Sequence, residues 1–233
     1  MSTAAPALPS EHSARSAQAD PHALGHNRHG REAGNGEATG HGEGGPASKR
    51  IVVAYGFWIF LLSDIIMFSV FFAAFAVLGG ATAGGPTGAD LFDQRRVAIE
   101  TACLLLSSFT AGMGSVAAAR RSLAWTQAWL LVTGLLGLAF LVLEVQEFAE
   151  MIAEGAGPER SAFLSSFFAL VGCHGLHVAC GLLWLGTMMA QFWARGFQAN
   201  VLRRYHCFNL FWHALDIIWV GLFTIVYLMG AGR

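Results

Sequence analysis

Three pairs of ionisable residues, each three positions apart, stand out in this chain: Glu144 with Glu147, His174 with His177, and His213 with Asp216. Residues three apart share one face of a helix, so each pair can act as a unit. His206 lies seven positions before His213, on that same face. Two further carboxylates, Asp64 and Glu100, stand elsewhere in the chain. Glu and His at this spacing build di-iron sites in helical bundles, and histidines from facing helices can ligate a haem. The same groups can instead pair across helices, or bond lipid headgroups and water, which satisfies each buried polar atom without a cofactor.

The elements that carry these residues help to decide between the two. The chain has 233 residues, 55% hydrophobic and 12% charged, with a mean hydropathy of +0.51. Soluble domains carry about 25% charged residues, so the composition points to a membrane protein. A net charge of −1 gives no basic field for nucleic acid. Cys103, Cys173, Cys180 and Cys207 lie in apolar stretches, fit no zinc or disulfide pattern, and read as small packing residues.

A helix crossing a hydrocarbon core of about 30 Å needs about 20 apolar residues. Five segments meet that requirement, roughly 51–79, 97–119, 125–151, 161–193 and 206–230. The expected fold is therefore all-α: an integral membrane bundle of five transmembrane helices over residues 49–233. Residues 1–48 are rich in Ala, Gly, Ser, His and charge, and read as a disordered cytoplasmic tail. With the N-terminus inside, the cytoplasmic flanks hold Lys49, Arg50, Arg120, Arg121, Arg195, Arg203 and Arg204. The outer flanks hold Arg95, Arg96, Arg160 and Arg233, so seven basic residues against four predict N-in and C-out.

Helices in lipid associate through close packing at small residues. The predicted seams use Ala111, Ser115 and Ala119 on the second helix, Thr133 and Gly137 on the third, and Gly175 and Ala179 on the fourth. Counting residues from the helix ends puts Glu144 and Glu147 near the outer end, His174 and His177 at mid-span, and His213 and Asp216 in the inner half. That separation argues against one shared metal or haem centre. Intramembrane ionisable groups are costly and mark partners or pathways. Asp64, with no cation near it in its own helix, reads as a carboxyl that bonds a neighbouring helix or takes part in proton movement.

Five stretches then carry a resemblance. HGLHVACGLLWL (174–185), LFWHALDIIWVGLFTIVYLMGA (210–231) and GFWIFLLSDIIMFSVFFAAFAVL (56–78) resemble the helix signatures of haem–copper oxidase subunit III. TAGGPTG (82–88), GPERSAFLSSFFALVG (157–172) and the count of five helices are similar to its bo-type quinol-oxidase branch. The resemblance covers residues 50–231 and leaves the N-terminal extension aside. It implies an accessory subunit with no catalytic residue and no metal or cofactor of its own, while haem and copper reside in subunit I. It implies subunits I, II and IV and phospholipids as partners, and a bacterial inner membrane location. It implies support for assembly, stability and proton uptake in a complex that oxidises quinol, reduces oxygen and pumps protons. Asp64, Glu144, Glu147, His177, His213 and Asp216 match its motif positions, which implies a polar helix-contact and lipid-contact network; Glu100 and His174 join that set on their place in the spans. The competing readings are a stand-alone transporter or proton channel using Asp64, Glu144 and Glu147, a membrane metalloenzyme, and a subunit III-like protein from a cytochrome c oxidase or nitric-oxide reductase operon.

Overall fold

The computed structural model describes residues 49–88 and 92–229. The expected tail, residues 89–91 and Arg233 lie outside the described residues. Among the described residues, five helices are long and apolar enough to cross a membrane: α1 (Lys49–Leu78), α2 (Gln94–Ala119), α3 (Leu123–Ala153), α4 (Ala162–Arg195) and α5 (Ala199–Leu222). α5 runs on into a π-helical turn, Phe223–Leu228. The shortest of the five, α5, has 24 residues before its π-helical extension. At about 1.5 Å per residue, that still exceeds a hydrocarbon core of about 30 Å.

Polar residues punctuate the ends. The Asp93 carboxylate accepts a bond from the Arg95 backbone N–H at 2.9 Å and starts α2. Ser161 does the same for Leu164 at the start of α4, at 3.2 Å. Each satisfies a backbone donor that the first helical turn leaves free. α3 closes with Gly155 at a φ of +79°. The next N–H, of Ala156, reaches back to the Met151 carbonyl at 2.8 Å, a stop that favours glycine in the left-handed region. The fifth span starts at Ala199, earlier than the sequence reading placed it. Arg203 and Arg204 were read there as flanking charges. They belong to the helix, and Arg204 reaches back to the Gln191 side chain of α4 at 3.0 Å.

α2, α3, α4 and α5 pack in a closed ring, each against the next, with α5 returning to α2. α1 leans on this bundle through aromatic side chains. Phe57 meets Trp184, Phe68 meets His174 and His177, and Phe75 meets Phe163. Phe72 lies against Gly221 of α5. The opposite face of α1, with Ile66, Val70 and Val77, is exposed, as suits a face turned to lipid.

Small residues organise the interior, on a different line from the one predicted for α2. Ala111 is buried, but Ser115 is only half-buried and Ala119 is exposed. The buried line is Ser107, Ala111, Gly114 and Ala118. Four-residue steps overshoot a 3.6-residue turn, so alternating steps of three and four keep to one face. Thr110 and Thr133 join α2 to α3 through their hydroxyls at 2.8 Å. Elsewhere the glycines receive side chains rather than backbones. A Cβ on Gly137 would stand 2.9 Å from the Trp212 ring, and one on Gly181 would stand 2.8 Å from it. Trp212 is thus clasped between α3 and α4, and its indole N–H donates to Ser107 of α2 at 3.1 Å.

Candidate functional site

The ionisable residues gather in two places. The first lies toward the end of the bundle marked by Arg96. Glu100 of α2 is 0% exposed, Glu144 of α3 is 1% exposed and Glu147 is 4% exposed. Each lies within electrostatic reach of another in the trio. Glu147 Oε2 accepts a hydrogen bond from the Tyr227 hydroxyl at 3.0 Å. The π-turn carries that tyrosine, and it packs on Phe92, Phe167 and Trp219. The Glu144 carboxylate fills the notch at Gly175 so closely that a Cβ there would meet Oε1 at 2.5 Å. Trp219 donates its indole N–H to Thr101, beside Glu100, at 3.0 Å.

This contact corrects the depth reading. Glu144 touches the residue next to His174, so the two lie at one level. α4 is 34 residues long, well beyond the span of a hydrocarbon core, so counting from its first residue places His174 too deep. His174 is fully buried among the rings of Phe68, Phe140 and Trp219. Among the described residues neither of its ring nitrogens has a hydrogen-bond partner, and the same holds for both carboxylate oxygens of Glu100 and of Glu144. Among the described residues no three His, Cys, Asp or Glu side chains come together as a metal-ligand group.

The trio reaches the surface through Arg96. Its guanidinium pairs with Glu150 at 2.5 and 3.0 Å and feels the charges of Glu147 and Glu100. The Arg96–Glu150 pair is solvent-accessible, and such pairs contribute little to stability. Arg96→Gln is expected to leave the thermal midpoint in detergent within error of the parent, and a clear drop would give this pair a larger structural role.

The second place is a polar layer further along the bundle. Ser108 of α2 bonds His213 Nδ1 at 2.6 Å, and Asp216 lies one turn on, half-buried. His177 Nδ1 donates to the Cys173 carbonyl of its own helix at 2.7 Å. Asp64 is half-buried on α1. α1 and α5 run parallel with Phe72 against Gly221. Asp64 and His213 each lie eight residues before that contact, hence at one depth. His206 is exposed. Among the described residues the partners of His213 and His177 are a hydroxyl and a backbone carbonyl, which need no charge matching. Sequence reading singled out neither Ser108 nor Tyr227. A hydroxyl opposite an ionisable pair, as at His213 and Glu147, becomes a signal only once the helices are paired.

A sequence model of one family, described as Cytochrome c oxidase subunit III, matches residues 34–231. It begins inside the segment read as a tail. The chain belongs to this family. The family model's match runs through every span. "Cytochrome bo(3) ubiquinol oxidase subunit 3" of Pseudomonas aeruginosa is 54% identical over 177 residues, 76% of this chain and 85% of that one. "Quinol oxidase subunit 3" of Bacillus subtilis is 43% identical over 177 residues, 76% of this chain and 87% of that one. "Cytochrome c oxidase subunit 3" of Alkalihalophilus pseudofirmus is 40% identical over 178 residues, 76% and 86% of the two chains. With five spans and such relatives, this subunit III family member is a bacterial membrane protein.

Proposed function

We propose that this chain is the accessory subunit III of a bo-type quinol oxidase, working beside a subunit I that carries the haem and copper. The 54% identity to a relative named for a bo(3) ubiquinol oxidase carries this reading. The interior adds support. Its carboxyls and imidazoles are bound up in helix packing: Glu144 in the Gly175 notch, His174 among rings, Glu147 on Tyr227. That is the work of a scaffold, in which polar groups fix the register of the bundle. In this reading subunits I, II and IV and phospholipids are its neighbours. Its tasks are assembly, stability during turnover, and the environment of proton uptake. The N-terminus faces the cytoplasm and the C-terminus the periplasm, in the inner membrane.

Affinity purification through a tag on this chain tests the reading. The chain is expected to co-elute with a haem-bearing subunit and with quinol oxidase activity. Recovery of the chain alone from mildly solubilised membranes overturns it. The relative named for a cytochrome c oxidase favours a second reading within the same family. A co-eluting subunit II with copper-binding cysteines would decide for that one.

A further inference from the structure

At the Ala199 end of the bundle a cavity of ≈ 450 Å³ lies among α1, α2 and α5. Four alanines, Ala54, Ala118, Ala119 and Ala199, line it, and their short side chains leave it open. Val53, Ala119 and His206 in its wall are exposed, so the cavity has a mouth on the side of the bundle. Sites for small molecules run to about 300–1,000 Å³, mostly apolar with a few placed polar groups.

The polar groups here are neutral and lack partners. Tyr205 is 3% exposed and Asn209 is 8% exposed, and both line the cavity. Asn209 Nδ2 donates to the Tyr205 backbone carbonyl at 3.2 Å, which turns Oδ1 the other way. Among the described residues Asn209 Oδ1 has no hydrogen-bond partner, and neither has the Tyr205 hydroxyl. That hydroxyl stands beside the Ser115 and Asn209 side chains. The notch at Gly114 holds it in place, since a Cβ there would stand 2.8 Å from it.

An occupant therefore has to bring a donor to Asn209 Oδ1. The phosphate and ester groups of a lipid only accept. An ammonium headgroup would stand near Arg203, another wall residue, and be repelled by it. A hydroquinone brings two O–H donors on a flat, uncharged ring, and its oxygens can accept from Tyr205. The matching quinone has no O–H to give.

We propose that this cavity binds the head of a lipid-soluble hydroquinone, with Asn209 Oδ1 accepting from one ring hydroxyl and the tail leaving past Val53. The choice of ligand rests on the quinol-oxidase reading above. The site holds the reduced form and performs no redox step.

The test titrates the full chain, in phosphatidylcholine nanodiscs without other subunits, with decylubiquinol under reducing conditions, against empty discs. One saturable site per chain is expected. Decylubiquinone should bind about tenfold more weakly, the scale of one hydrogen bond. Asn209→Leu is expected to remove that preference. Ala119→Phe, which alters only the exposed mouth, is expected to block the site in a chain of unchanged helicity. Uptake equal to that of empty discs, equal affinity for the two redox forms, or loss of the site in phosphatidylglycerol discs overturns the proposal. Such a failure in a chain that co-elutes with a quinol oxidase leaves the subunit reading intact. Failure to co-elute overturns that reading, and the choice of ligand with it.

Discussion

Trp212→Ala is expected to destabilise the bundle by about 2–4 kcal/mol, read as a lower midpoint in thermal unfolding of the detergent-purified protein followed by circular dichroism. The indole is 2% exposed and fills the space between two glycine notches, at Gly137 on α3 and Gly181 on α4. Its loss removes packing from both helices at once and takes the donor from Ser107 on α2. The cost falls below that of a similar truncation in a soluble core, because separated helices in lipid keep the side chain in apolar surroundings and only the packing part is lost. The companion Gly181→Ala gives the sharper reading. In the parent its Cβ would meet the indole at 2.8 Å, an overpacking that costs about 1–3 kcal/mol. In the Trp212→Ala background the same methyl meets only the edge of the Phe211 ring, at 3.2 Å, so its cost should shrink. Equal destabilisation in both backgrounds would mean that the glycine is needed for something other than the tryptophan.

The five spans were legible because a bilayer imposes a length that the sequence has to meet, whatever the packing. Where the expectation slipped, the cause was local. Arg203 and Arg204 made the fifth segment start too late because a charge near a span reads as its boundary, yet long side chains can reach polar partners from inside a helix. The small-residue seam of α2 slipped because four-residue steps drift around the helix, which left Ala119 exposed. Each ionisable pair could be read on its own helix. Which pairs meet could not, since Glu100 joins Glu147 only when α2 lies beside α3. The π-turn that brings Tyr227 to Glu147 has no mark in FTIVYL, since one extra residue per turn is a response to packing.

That last contact yields the other large effect. Tyr227 is 1% exposed and Glu147 is 4% exposed, and their bond is the one hydrogen bond between side chains found in the carboxyl trio among the described residues. Removing one partner of a buried hydrogen bond strands the other, at about 1–3 kcal/mol. Tyr227→Phe should therefore lower the thermal midpoint by taking the donor from a carboxyl that already lies near Glu100. Glu147→Met should do so by leaving the phenol hydroxyl unpaired among Phe92, Phe167 and Trp219. The double variant replaces both partners by apolar groups of similar size, which can be nearly neutral. Its midpoint should lie above the sum of the two single losses, with a coupling of about 1 kcal/mol or more. Additive losses would show that each residue holds the π-turn independently, Tyr227 through its ring and Glu147 through the trio, and that the 3.0 Å bond contributes nothing to joining α3 to the end of α5.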